Sequence, residues 1–183
     1  LIASNALDFD DLLLYAALLL EDNPVVREKY SRRFEHILVD EFQDTNQAQY
    51  RLLRQLASHH ENLFVVGDAD QSIYRWRGAD YRNMQRFEED YINAEIIKLE
   101  QNYRSTQVIL DAAMAVIEPN PYRVHKELFT DKQGGAKIGL HMAADGRYEG
   151  RFIVDKIATL TRRGSAQPGD FAVMYRTNAQ SRQ

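Results

Sequence analysis

Between Phe9 and Leu20 the apolar residues Leu12, Leu13, Tyr15, Ala16, Leu19 and Leu20 return at the spacing that lines one face of an α-helix, and Asn23-Pro24 ends the pattern. A different pattern follows. Ile37-Leu38-Val39 and Leu63-Phe64-Val65-Val66 are short uninterrupted apolar runs, the first leading into acidic residues and the second closed by Gly67-Asp68, which predicts strands buried on both faces. Between them, from Asn46 to Ser58, Tyr50, Leu53, Leu56 and Ala57 share one helical face. Strand, helix and strand in that order form the unit of a parallel sheet.

Farther along, Ile96-Ile97-Lys98-Leu99 reads as a third strand. Ser105 is a plausible N-cap for a helix carrying Val108, Ile109, Ala112, Ala113 and Val116, and Pro119-Asn120-Pro121 stops it. Gly134-Gly135 marks a turn before an expected strand from Lys137 to Ala143. Phe152, Ile153, Ile157 and Leu160 then give another amphipathic helix, and Phe171 to Tyr175 another strand. One β-α-β series ends near residue 100 and another begins, so the boundary between two domains is expected there, with residues 1–100 on one side and 101–183 on the other. The expected fold class is α/β with parallel sheets.

The bulk numbers bound this picture without changing it. With 44% hydrophobic and 27% charged residues the chain has a globular composition, and no apolar run approaches a membrane span. Neither a basic start nor a small-residue cleavage site opens the sequence, so a cytoplasmic protein is expected. The chain starts at Leu1 and ends just after an expected strand, which reads as a piece of something longer. There are no cysteines, which excludes disulfides and thiolate metal sites, and the five histidines show no metal-ligand spacing. A net charge of −4 argues against nucleic-acid binding by bulk attraction and leaves local patches to do it. Arg123, His125 and Lys126 form one basic patch, to which the sequence assigns no role.

The first expected strand delivers Asp40 and Glu41 at its carboxyl end, where open α/β sheets place their ligands. One carboxylate there can hold a hard cation such as Mg2+ together with phosphates and waters, while the next orients and deprotonates a water. A bare hydrophobic-Asp-Glu string is more often just two solvated acids after a strand. The string continues, however, as Asp40-Glu41-Phe42-Gln43-Asp44-Thr45-Asn46, and after the second strand comes Gly67-Asp68-Ala69-Asp70-Gln71-Ser72-Ile73-Tyr74-Arg75-Trp76-Arg77-Gly78-Ala79. In this second block aromatics alternate with cations at Tyr74, Arg75, Trp76 and Arg77, a composition suited to stacking on unpaired bases and meeting phosphates; an aromatic anchoring its loop to the core is the other reading.

These blocks resemble the Walker B motif and motif III of superfamily 1 DNA helicases of the UvrD/Rep/PcrA type. Leu99-Glu100-Gln101-Asn102-Tyr103-Arg104-Ser105 is similar to motif IV of that family, and the segment from Tyr175 to Arg182 looks like a later one. Asp8-Phe9-Asp10-Asp11-Leu12 resembles the stretch with which the family's chain re-enters its first motor domain. The resemblance implies parts of two RecA-like, P-loop NTPase motor domains with ATP in the cleft between them. It implies that Asp40, with Glu41 beside it, organises Mg2+, that Glu41 is the catalytic base, and that Gln71 senses the γ-phosphate. Tyr103 would stack on adenine and Arg104 would reach the γ-phosphate as an arginine finger. Tyr74, Trp76 and Arg77 would meet single-stranded DNA, with Arg176 and Asn178 against its backbone. The implied activity is ATP-dependent translocation on single-stranded DNA, in the 3′–5′ sense, and unwinding at single/double-strand junctions, alongside repair or replication proteins. The motor of a helicase-nuclease recombination complex, or a non-catalytic DNA-binding or scaffold module derived from such a motor, are the alternatives. No Gly-x4-Gly-Lys-Ser/Thr string occurs in the chain, so the loop that cradles the phosphates is not among these residues.

Overall fold

A computed structural model describes residues 6–182 apart from 121, 122 and 124. It divides into two compact units, Leu1–Gly135 and Ala136–Gln183. In the first, α1 (Phe9–Asp22) begins on a reciprocal cap: Asp8 Oδ1 accepts from the Asp11 N–H at 2.9 Å and the Asp8 N–H donates to Asp11 Oδ2 at 3.1 Å. Pro24 ends α1 and also opens α2 (Pro24–Arg33), a helix the periodicity did not predict. Its sequence, PVVREKYSRR, has no apolar stripe to announce it. Arg27 ties the two helices together, donating to the carbonyls of Leu20 and Glu21 at the end of α1, each at 3.2 Å.

The strands β1 (Ile37–Val39) and β2 (Leu63–Val65) pair in parallel with Ile37 opposite Leu63 and Val39 opposite Val65, connected through α3 (Gln47–Ala57). Among the described residues these form the whole sheet, of two strands. They are not buried on both faces as their apolar runs predict: Leu38 is 75% exposed and Phe64 57%. Asn46 caps α3 reciprocally with Gln49, and α3 packs against α1 and α2. The helix α4 (Arg82–Asp90), also unpredicted, lies against the turn Phe42–Asp44, where the Phe42 and Phe87 rings meet edge to face with centroids 5.6 Å apart.

Three expected strands do not form. Residues 96–99, 137–143 and 171–175 have no ladder partner among the described residues. A strand exists only through its neighbour's hydrogen bonds, and here Leu99, Leu140 and Met174 are exposed. Near the first of these segments an isolated parallel bridge joins Gln101 to Phe129. The helix α5 (Gln107–Ile117) is capped at Thr106 rather than Ser105 and ends before Pro119; Pro121 lies outside the described residues. The second unit is built on α6 (Gly146–Arg162), whose cap Asp145 accepts from the N–H groups of Arg147 and Tyr148. The chain is thus richer in helix than its apolar runs predict, with a small parallel sheet in its first unit.

Candidate active site and nucleic-acid surface

At the carboxyl end of β1 the chain turns sharply through Glu41, which adopts φ 49° and ψ 43°. A side-chain-bearing residue other than Asn or Asp is uncommon in this left-handed region, and such strain concentrates at functional sites. Asp40 Oδ1 accepts the Glu41 N–H at 2.9 Å, fixing the turn, and both carboxylates stand exposed beyond the sheet. The next residues turn inward. Phe42 is fully buried, and Gln43 is 1% exposed. The Gln43 amide nitrogen donates to Glu41 Oε2 at 2.7 Å, and its amide oxygen accepts the Asp68 N–H at 3.0 Å.

Asp68 opens the loop after β2. Its carboxylate accepts from the Asp70 N–H at 3.0 Å, from Gln71 Nε2 at 2.9 Å and from Lys126 Nζ. Gly67 lets this loop approach the one after β1, since a Cβ there would sit 2.8 Å from Gln43 Oε1 and 3.3 Å from the Phe42 nitrogen. Asp40, Glu41 and Gln71 are therefore assembled at the carboxyl ends of adjacent parallel strands. The basic patch of the sequence reading also has a place here, for Arg123 Nε and Lys126 Nζ each lie 3.2 Å from Asp70 Oδ2. Burial is the largest influence on the Asp68 carboxyl and pushes its pKa up, but Lys126, Gln71 and the Asp70 N–H together outweigh it and hold the group below the ordinary carboxylate value.

The loop continues into a short 3-10 turn, Arg75–Arg77, closed by Gly78 at φ 91°. Trp76 is 70% exposed, so little of its ring anchors the turn. The Arg77 guanidinium lies 4.7 Å from the Trp76 ring centre and 5.0 Å from that of Tyr74, making one aromatic and cationic surface. Behind it the turn is tied to the first motif: the Asp80 N–H donates to the Thr45 carbonyl at 3.0 Å, and the buried Asn83 donates to the same carbonyl at 3.0 Å.

Tyr103 and Arg104 are exposed on the segment before α5. Asn102 Oδ1 accepts the N–H groups of Arg104 and Ser105, at 2.9 and 2.8 Å, and so shapes that turn. No hydrogen bond or ion pair among the described residues joins Tyr103 or Arg104 to Asp40, Glu41 or Gln71. In the second unit Arg176 and Asn178 are exposed on a turn organised by Gln180, whose Oε1 accepts the N–H groups of Arg176 and Thr177. Sequence reasoning passed over Gln43, Asp68 and Asn83; the only signal for Gln43 and Asp68 was membership of the long motif strings, and Asn83, beyond the string that ends at Ala79, had none.

Residues 1–92 match the UvrD/REP helicase N-terminal domain, and residues 97–183 the UvrD-like helicase C-terminal domain. The chain belongs to the UvrD/REP helicase family. As a UvrD-type segment it is 51% identical over 182 residues to the ATP-dependent DNA helicase PcrA of Bacillus subtilis (strain 168), covering 100% of this chain and 25% of that protein. It is 50% identical to PcrA of Leuconostoc citreum and 51% to PcrA of Staphylococcus aureus (strain Mu50 / ATCC 700699), in each case across 98% of the chain and 24% of the relative. The chain thus spans about a quarter of the length of these curated UvrD-type relatives.

Proposed function

We propose that the protein to which this chain belongs is an ATP-dependent DNA helicase that moves 3′–5′ along single-stranded DNA and opens duplex at single/double-strand junctions. The observation that carries the reading is the convergence of Asp40, Glu41 and Gln71 at the carboxyl ends of β1 and β2, with Glu41 and Gln71 linked by hydrogen bonds through Gln43 and Asp68. In this reading residues 1–100 belong to one RecA-like motor domain and 101–183 to the next, and the change of matching family domain between residues 92 and 97 supports that division. The work is placed in the cytoplasm, with repair or replication proteins as partners; among the described residues no helix is long and apolar enough to cross a membrane.

Glu41 orients and deprotonates the attacking water, and the Gln71 amide, able both to donate and to accept, contacts the γ-phosphate and that water. The donor set fits Mg2+: Asp40, with Glu41 beside it, offers exposed carboxylate oxygens of the kind this cation takes along with phosphates. Bound there, the metal would neutralise charge on the phosphate oxygens. Tyr103 stacks on adenine, and Arg104 supplies a permanently charged, planar group to the transferring phosphoryl. Tyr74, Trp76 and Arg77 hold unpaired bases and phosphates, with Arg176 and Asn178 along the DNA backbone.

The test is Glu41→Gln in the full-length protein. DNA-stimulated ATP hydrolysis should be lost while binding of a fluorescent ATP analogue persists, because the base is removed and the nucleotide site is not. Turnover near that of the unsubstituted protein would overturn the assignment.

A further inference from the structure

Gln43 sits at the centre of the site and touches neither solvent nor any group that the proposed chemistry uses directly except Glu41. Its side chain is 1% exposed and spends both ends of its amide. The orientation of that amide is fixed by chemistry: a carboxylate only accepts, so the NH2 must face Glu41 Oε2 at 2.7 Å, and a backbone N–H only donates, so the oxygen must face Asp68 at 3.0 Å. The Gln43 backbone carbonyl also receives the hydroxyl of Ser72, the residue after Gln71, at 3.4 Å. Hydrogen bonds therefore lead from Glu41 through the Gln43 amide to the Asp68 N–H, and from the carboxylate of the same Asp68 to Gln71. Gly67 makes this linkage possible, because any side chain there would displace the Gln43 amide oxygen.

Glu41 needs such a brace. It is exposed, on a left-handed residue at a turn, and a glutamate so placed has rotamers that point its carboxylate elsewhere. We propose that Gln43 is a positioning residue that holds the Glu41 carboxylate in its working rotamer and couples that rotamer to the position of the Gln71 loop. The inference rests on the reading of Glu41 as the water-activating base. A shift of Gln71 on meeting the γ-phosphate reaches Glu41 through Asp68 and Gln43, so water activation is tied to the presence of the nucleotide's terminal phosphate. The Gln43 amide is itself buried and one of its bonds is to a charged carboxylate, the kind whose loss is felt most.

The experiment uses the full-length protein and a double-mutant cycle. Gln43→Met keeps the length of the side chain and removes both hydrogen bonds; kcat for DNA-stimulated ATP hydrolysis should fall roughly ten- to a hundredfold while KM for ATP stays within about threefold. Glu41→Asp withdraws the carboxylate from Gln43's reach, and in that background Gln43→Met should cost little more, since the contact is already lost. Losses that multiply, or a Gln43→Met enzyme with unchanged kcat, overturn the proposal. If Gln43→Met does not fold, Gln43→Glu serves instead: it keeps the acceptor for the Asp68 N–H and sets a second carboxylate against Glu41, and the same pattern in kcat and KM is expected of it, with an unchanged kcat again overturning the proposal. Glu41→Gln, measured alongside, separates the two failures. A Glu41→Gln enzyme that still turns over sinks the assignment of the base, whereas its inactivity together with a fully active Gln43 variant sinks only the brace.

Discussion

Trp76 is a large apolar ring left 70% exposed, and the cation above it already uses one of its faces. A nucleobase offers that ring a flat partner of any sequence, and stacking is worth about 1–3 kcal/mol per base. In the full-length protein Trp76→Ala should therefore weaken single-strand binding roughly tenfold, equally for mixed and homopolymer strands, with little change in melting temperature. Trp76→Phe should lose much less. Fluorescence anisotropy and thermal melts on the same variants check both halves; a lowered melting temperature with unchanged DNA affinity would return Trp76 to a packing role. The aromatic and cationic composition of this turn was legible in the sequence. That Arg77 spans both rings was not, because a 3-10 turn closed by a left-handed glycine decides which side chains share a side.

At the scale of elements, the two motif loops are held by a helix that periodicity did not predict. Asn83, in α4, is fully buried and donates to Thr45 O at 3.0 Å and Thr45 Oγ1 at 3.2 Å, while its own oxygen accepts from Arg86 at 3.0 Å. Asn83→Ala removes these bonds from a buried place and should destabilise the fold by about 1–3 kcal/mol, read from urea unfolding midpoints at constant m. An effect below a few tenths of a kcal/mol would show that water replaces the amide. The sequence RNMQRFEED shows why α4 escaped notice: its apolar side chains are few, and its anchoring is done by an amide and one ring, Phe87. The strongly periodic helices α1, α3 and α6 were legible, since their apolar stripes repeat over several turns.

Over the first unit as a whole, charge links residues far apart in sequence. Lys126 reaches back to Asp68 and Asp70, and Arg123 to Asp70, with the Arg123 and Asp70 side chains only 13% and 11% exposed. Asp68 has its pKa held below the ordinary value, so it binds protons less readily folded than unfolded. Its contribution to stability is present above the unfolded value, about 4, and is lost as pH falls through the lower folded value. Asp68→Asn should accordingly be less stable than the unsubstituted protein at neutral pH and converge with it below about pH 4. Melting temperatures taken across that range decide it, and a constant gap down to the acid end would place the lost stability in packing rather than in the charge.

The sequence by itself determined the family, the order of its motifs and the chemical kinds of side chain at β1's end, because those depend on residue identity and short spacing. It also determined the helices whose apolar stripes repeat. Tertiary structure alone decided that Gln43 faces Glu41 on one side and Asp68 on the other, that an unassigned basic patch neutralises the Gln71 loop, and that apolar runs at 96–99, 137–143 and 171–175 find no ladder partner among the described residues. The physical reason is common to all three. Hydrogen bonds, ion pairs and strand ladders need a partner at the right distance, and the partner's place is set by the path of the whole chain rather than by the residue that waits for it.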